Sequence, residues 1–219
     1  MKIKFIILLL LANSRSSARC QNTIDSLANA ICQTITNDTT SVDSIRLFTG
    51  YVNHMNKYVE INPDDNTEDL WSSVFLRLSV KCTEFIKLSI RLNKFNENWR
   101  FVSEMPPSSA SGKECAKFYK IKKYKYVEPT GDTTILLINK RYWKDFLSDG
   151  TYSKLKLTAT TDCEFELTFL NSNNYIKNKL SQPGDKYIYR IIEHTDNYFL
   201  LCVKIRETDT FTLFKLYYN

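Results

Sequence analysis

The chain is poor in the residues that build phosphate-cradling loops and metal sites. Its 219 residues include only 5 glycines, 5 prolines and 2 histidines. It has no G-x-S-x-G motif, no P-loop and no G-x-G-x-x-G motif. The sequence therefore does not indicate the catalytic serine of a hydrolase or a nucleotide-binding loop. The histidines, His54 and His194, lie outside any catalytic motif, and we expect both to be packing or surface residues. We therefore predict a protein that is not an enzyme, with no catalytic residues and no cofactor.

Long hydrophobic runs are also missing, except at the N-terminus. Two lysines precede an apolar run over residues 5–12, and Ser16 and Ala18 then form a small-x-small cleavage pattern. The run is shorter than the ~20 residues that a membrane span needs. We predict a signal peptide over residues 1–18 and a secreted, extracellular protein that does not span a membrane. Removal of the segment lowers the net charge from +6 to +3, because it carries three cations and no acid.

Six cysteines follow the predicted cleavage site. In a secreted chain this even number predicts three disulfides, although the sequence does not choose among the possible pairings. The cysteines are widely spaced and include no C-x-x-C pair, which argues against a metal site. Asn37 opens an Asn-Asp-Thr sequon and is a candidate glycosylation site. The disulfide candidates are Cys20, Cys32, Cys82, Cys115, Cys163 and Cys202.

The period of the hydrophobic pattern changes along the chain. Apolar residues recur every three or four positions between residues 22 and 60, which predicts helices, and the Asn62-Pro63 pair ends this pattern. From about residue 72 apolar and polar residues alternate, which predicts strands. We expect a mainly β protein with a helical segment at 19–65 and an antiparallel β-barrel at 66–219, or alternatively a β-sandwich. The predicted strands lie at 74–80, 85–92, 117–127, 133–139, 153–158, 164–170, 187–192, 198–205 and 211–218.

Three local features bear on the surfaces of the predicted sheet. Glu164 and Glu166 share one strand face, which we expect to be the outer one, although the opposite register would place them beside a bound cation. Residues 117–126 contain five lysines among aromatic residues. This pattern fits a lysine-protected edge strand, or alternatively a site for an anionic glycan. Residues 142–147 are interpreted as a short helical turn between strands.

The C-terminal part of the chain carries motifs of a known family. In residues 189–202 a strand leads through Thr195-Asp196-Asn197-Tyr198 to a strand that reaches a cysteine, and residues 210–215 are similar to a last barrel strand. Trp71, in Asp69-Leu70-Trp71, corresponds to the tryptophan that this family has near its first barrel strand. The pattern resembles secreted lipocalins, in particular the salivary lipocalins of ticks and other blood-feeding arthropods. The Gly-x-Trp signature of that family is missing around the tryptophan.

The resemblance implies an eight-stranded barrel with room for one small ligand. Members of this group sequester host amines or lipid mediators, so the implied function is a carrier or scavenger of a small apolar or amine ligand. The alternative is a β-rich immune-modulating or adhesive protein that binds a host protein or an anionic glycan through its surface. Nucleic acid is not an expected partner. The ligand-binding candidates are Trp99, Phe101, Trp143, Phe165, Phe169, Phe199 and Phe214.

Overall fold

The chain divides into two compact units, a helical one and one that carries an antiparallel sheet. The computed structural model describes residues 23–63, 67–92, 97–204 and 209–218. The units are Met1–Leu88 and Ser89–Asn219. The predicted fold class, helices followed by an antiparallel barrel, is confirmed. The signal peptide predicted at 1–18 lies outside the described residues.

Helices account for the described part of the first unit. The first helix, α1, is described over residues 23–37. It is followed by α2 (Asp43–Ile61), α3 (Thr67–Lys81) and α4 (Thr83–Leu92). The predicted stop at the Asn-Pro pair is confirmed, because Asn62 is the C-cap of α2. No helix in the described ranges has the length and apolar character needed to cross a membrane.

The strands predicted at 74–80 and 85–92 are wrong, because these residues form α3 and α4. Val74 and Leu78 lie four positions apart, and both are fully buried in the helical core. A buried stripe with this spacing is typical of a helix, and it decides against the alternating pattern in the same residues. The helical region therefore runs to Leu92, beyond the boundary expected at residue 65.

The tryptophan that the family resemblance placed near a first barrel strand lies instead in α3. Trp71 packs edge-on against Tyr51 of α2, with ring centroids 5.3 Å apart. A disulfide joins Cys32 of α1 to Cys82, which follows α3. This bridge closes a long loop of chain, and such bridges contribute about 2–4 kcal/mol to stability. The helical unit is thus covalently tied as well as packed.

Eight strands close into an antiparallel barrel in the second unit. Strands β2 to β9 are neighbours in chain order, and β9 pairs with both β8 and β2, which confirms the barrel over the sandwich. A short strand, β1, pairs with the first half of β9. The elements are β1 (Trp99–Val102), α5 (Gly112–Lys120), β2 (Lys123–Val127), β3 (Thr133–Ile138), β4 (Tyr142–Phe146), β5 (Tyr152–Ala159), β6 (Glu164–Ser172), α6 (Tyr175–Leu180), β7 (Lys186–His194), β8 (Tyr198–Lys204) and β9 (Phe211–Tyr217).

Two local predictions in this unit are wrong. The strand predicted at 117–127 begins only at Lys123, because residues 117–120 belong to α5. A capping box starts that helix: the Ser111 hydroxyl accepts from the backbone of Glu114, whose side chain accepts from the backbone of Ser111. The helical turn predicted at 142–147 is strand β4, in which alternate residues are buried.

Two disulfides lie among the described residues, and a third would require Cys20, which lies outside them. Besides the bridge in the helical unit, Cys115 of α5 pairs with Cys163 next to β6. Cys202 is a buried free thiol. It follows Leu201 on β8 and so faces away from the barrel interior, into a small outer cluster with Ile192.

Candidate functional site

Aromatic side chains fill the middle of the barrel and pack directly against one another. Phe165 stacks on Tyr189 with ring centroids 5.2 Å apart. The Trp143 ring lies 5.7 Å from Tyr189, and the Phe214 ring lies 6.2 Å from it. Trp99 of β1 stacks on Phe214 at 4.9 Å. These contacts place four of the seven ligand-binding candidates around one inward-facing tyrosine.

The end of the barrel next to α5 is closed by a phenylalanine. Phe118 of α5 is fully buried, and its ring lies 5.3 Å from Tyr124 and from Phe165. Phe199, a ligand-binding candidate, packs against the same ring at 5.4 Å. The disulfide of Cys115 ties the helix to the barrel wall. We call this end the α5 end.

His194 takes part in closing the α5 end. Its ring lies 4.4 Å from that of Phe199, and its Nε2 atom lies 2.7 Å from the hydroxyl of Tyr218. Its Nδ1 atom lies 3.2 Å from the carboxylate of Glu114 on α5. These contacts join the helix to β7 and to the end of the chain, which is the packing role expected for this histidine.

The opposite end of the barrel, next to α6, contains a buried carboxyl group. Asp145 of β4 faces inward beside Trp143 and is only 6% exposed. The Trp143 indole donates a hydrogen bond to Asp145 Oδ1 at 2.9 Å. The Tyr126 hydroxyl also favours the ionised form of Asp145. Because Asp145 pairs with Ser153 and Ser153 with Ser172, the carboxyl lies in the row of residues that leads into α6. We call this end the α6 end.

A second acid and a lysine lie at the rim of the α6 end. Lys177 of α6 contacts Glu128 Oε1 through its ammonium group at 3.0 Å. The hydroxyl of Thr134, which is buried on β3, donates to the same oxygen at 3.1 Å. Lys177 also attracts the charge of Asp145, whereas Glu128 repels it. Two carboxyl groups therefore share one cation of the protein at this end.

Burial changes the acidity of the groups at this end. Removal from water raises the pKa of Asp145 to about 7, although Lys177 and the Trp143 hydrogen bond work in the opposite direction. Burial and the neighbouring Asp145 raise the pKa of Tyr189 well above its ordinary value. Near neutral pH the carboxyl thus lies between its neutral and charged forms, and a cation placed beside it would favour the charged form.

This raised pKa predicts a loss of stability as the pH rises. Between about pH 4 and pH 7 folded Asp145 keeps a proton that the unfolded chain has released, so the free energy of unfolding falls by a few kcal/mol over that range. Asp145→Asn should remove this part of the pH dependence. Urea unfolding at pH 5 and pH 8 measures the change in the free energy of unfolding for the wild type and for Asp145→Asn. The exposed Asp132→Asn variant should keep the wild-type difference, and an unchanged difference in Asp145→Asn would contradict the interpretation.

Not all of the ligand-binding candidates lie near the buried carboxyl. Trp143, Phe165, Trp99 and Phe214 form the aromatic group around Tyr189. Phe199 belongs to the closed α5 end, and Phe169 is buried on β6. Phe101 is partly buried on β1 opposite Thr212 of β9. Contact between these side chains and a ligand stays a prediction.

Sequence reasoning missed Asp145, Tyr126 and Tyr189. A signal for Asp145 was present, because Trp143 and Asp145 lie two positions apart, as residues on one face of a strand do. The interpretation of this segment as a helical turn concealed it. Tyr126 and Tyr189 carry no local signal, since only closure of the barrel brings β2 and β7 towards β4.

The glutamates considered as cation ligands lie on the outer face of β6, as expected. Glu164 accepts a hydrogen bond from the guanidinium of Arg190 at 2.7 Å, and Glu166 lies 3.1 Å from the ammonium of Lys186. The intervening Phe165 and its inward neighbours are buried. The opposite register, which would have turned these acids into the barrel, does not occur.

Comparison of the chain with models of protein families, with curated proteins and with solved structures finds no match.

Proposed function

We propose that the protein is a secreted, lipocalin-like carrier or scavenger that binds a small aromatic amine in its barrel. The observation that carries this proposal is the buried carboxyl of Asp145 at the α6 end, surrounded by inward-facing aromatic rings. The protonated amino group of the ligand would pair with Asp145. Its aromatic body would lie among Tyr189, Trp143 and Phe214, whose rings pack against one another and would have to separate to admit it.

The chemistry of the site favours a cation over an anionic lipid. A buried carboxylate is costly unless a cation or hydrogen-bond donors accompany it, so an ammonium group compensates for that cost. Aromatic faces attract cations as well, which adds to the preference. A fatty-acid carboxylate at the same place would instead face Asp145 and Glu128 with a like charge. Among the ligand classes expected for a carrier, amines are therefore preferred to lipid mediators.

We further propose that the protein is secreted and that it binds its ligand without catalysing a reaction. The N-terminal pattern of a signal peptide supports secretion, and the two disulfides are typical of oxidising compartments. A carrier needs only to bind its ligand, and we propose no reaction. The hydrogen bond from Trp143 would hold Asp145 in place for binding.

Calorimetric titration of the disulfide-intact protein with matched ligands tests the function. We expect tryptamine to bind one-to-one at pH 8, and N-acetyltryptamine, which has the same ring but no charge, to bind at least about tenfold more weakly. A saturated fatty acid serves as the lipid probe. Equal binding of the two indoles would contradict the role of the charge. Binding of the fatty acid alone would replace the amine proposal with a lipid carrier.

A further inference from the structure

The outer surface of β2 to β5 is basic and aromatic. Side chains alternate between the two faces of each strand, so the residues that flank the buried ones in sequence point outwards. None of the outward-facing side chains on these four fully described strands carries a carboxyl group. We call this surface the lysine face. Its charged and aromatic members are Lys123, Lys125, Lys144, Lys154, Lys156, Tyr142, Phe146 and Tyr152.

The register of the sheet brings these lysines together from separate parts of the chain. Lys144 of β4 lies directly opposite Lys154 of β5. Lys123 of β2 and Lys144 both pair with Leu137, which places them two strands apart in the same row. Neighbouring strands lie about 4.8 Å apart, so this row carries positive charges at intervals of roughly 5–10 Å. Like charges directly opposite one another destabilise a sheet, and an anion between them would relieve that repulsion.

Aromatic rings hold two of the ammonium groups close to the sheet. The ammonium of Lys144 lies 4.6 Å from the ring centres of Phe146 and Tyr152. The ammonium of Lys154 lies 4.2 Å from the ring centre of Tyr142. Such contacts restrict long, flexible side chains, so less freedom is lost when an anion binds. The three rings are partly buried and therefore do not project as bilayer insertion would require.

Among the residues that the structure describes, no acid is paired with a lysine of the lysine face. By contrast, β6 and β7 carry Glu164 paired with Arg190 and Glu166 paired with Lys186. The same barrel thus has one wall with paired charges and one wall with uncompensated cations. The field of such a wall attracts a polyanion.

We propose that the lysine face binds a sulfated polysaccharide. Positive charges from three strands, β2, β4 and β5, lie in one row and suit a linear chain of anions. The disulfides favour an oxidising compartment, where sulfated glycans occur and nucleic acids are scarce. An anionic-glycan site was the alternative interpretation of residues 117–126, but the face is built differently. Lys117 and Lys120 lie on α5, and three of the five lysines come from β4 and β5. This binding does not depend on a ligand inside the barrel.

The test compares two variants with the same change in net charge. We expect the full, disulfide-intact protein to bind a heparin oligosaccharide with an affinity that falls as NaCl rises over about 50–200 mM. Lys144→Gln/Lys154→Gln should weaken binding about tenfold and make the salt dependence shallower by about two charges. The control, Lys57→Gln/Lys87→Gln, changes two exposed lysines of the helical unit and should alter the affinity less than about twofold. Unchanged thermal midpoints establish that both variants are folded.

Four results would overturn the proposal. Equal weakening by both double variants would show attraction to net charge rather than to the lysine face. Affinity that does not change with salt would exclude pairing of lysines with sulfates. Binding to phosphatidylserine vesicles or to single-stranded DNA at least as tight as to the oligosaccharide would assign the face to a membrane or to nucleic acid. Desulfated heparin should bind more weakly than the sulfated chain, and equal binding would likewise contradict the proposal.

Discussion

Replacement of Asp145 by asparagine is expected to abolish most amine binding in the barrel. Removing one partner of a buried charge pair costs about 2–5 kcal/mol, so the dissociation constant for tryptamine at pH 8 should rise thirtyfold or more. Asparagine keeps the shape of the side chain and an oxygen that accepts from Trp143. The loss should therefore reflect the missing charge rather than a collapsed site. Titration calorimetry of the wild-type and variant proteins measures the effect.

The matched control for this experiment is Asp132→Asn. Asp132 is an exposed acid in the turn between β2 and β3, where its side chain accepts a hydrogen bond from Thr130. The variant carries the same change in charge as Asp145→Asn but leaves the barrel interior untouched. We expect its affinity for tryptamine to stay within about twofold of the wild type. An equal loss in both variants would point to general electrostatic attraction and would contradict a site at Asp145.

The pH dependence of binding gives a second measurement of the same site. Because burial raises the pKa of Asp145 to about 7, the carboxyl is protonated below neutral pH and must lose its proton to pair with a cation. Affinity should fall about tenfold for each pH unit below 7 and level off above it. Binding at pH 7 should release a proton, which titrations in buffers of different ionisation enthalpy detect. Affinity that is flat between pH 5 and pH 8 would exclude Asp145 as the partner.

Truncation of Phe118 to alanine is expected to produce the largest loss of stability. The ring is fully buried at the α5 end, in contact with Tyr124, Phe165 and Phe199. Deleting a buried phenylalanine ring typically costs about 3–5 kcal/mol, because the apolar contacts are lost and a cavity is left. Since Cys115 stays bridged to Cys163, the helix cannot simply detach. Urea unfolding followed by near-ultraviolet circular dichroism reports on the aromatic packing.

Ile176→Ala is the control for this truncation. Ile176 belongs to α6 in the same unit, and its side chain is 52% exposed. Deleting an exposed apolar side chain should change the free energy of unfolding by less than about 0.5 kcal/mol. If Phe118→Ala were no more destabilising than this control, the helix would not close the barrel. Intermediate losses of about 1–2 kcal/mol would indicate that neighbouring rings fill the cavity.

Where one face of a strand is buried, the sequence predicted the local structure well. The alternation in residues 164–170 correctly placed Phe165 inside and its flanking glutamates outside. The later strands at 187–192, 198–205 and 211–218 correspond closely to β7, β8 and β9. Each of these segments presents apolar side chains at every second position, and only one register buries them.

Where a segment carried both periods, the sequence did not decide between helix and strand. Residues 74–92 alternate in polarity, yet Val74 and Leu78 also lie one helical turn apart. Packing against a helical core selects the second pattern, and burial outweighs the weak β propensity of single residues. Residues 117–120, predicted as strand, likewise belong to a helix, and the Ser111–Glu114 capping box was the overlooked local signal.

The sequence by itself determined that this chain builds helices first and a one-sided antiparallel sheet afterwards, because hydrophobic period is a local property. Tertiary structure alone decided what that sheet encloses and displays. Asp145 meets Tyr126 and Tyr189 because barrel closure brings together strands that are distant in the chain. Lys123, Lys144 and Lys154 form one surface because the register of the consecutive strands β2 to β5 aligns them in one row. Both candidate sites thus arise from the pairing of separate strands and not from any short motif.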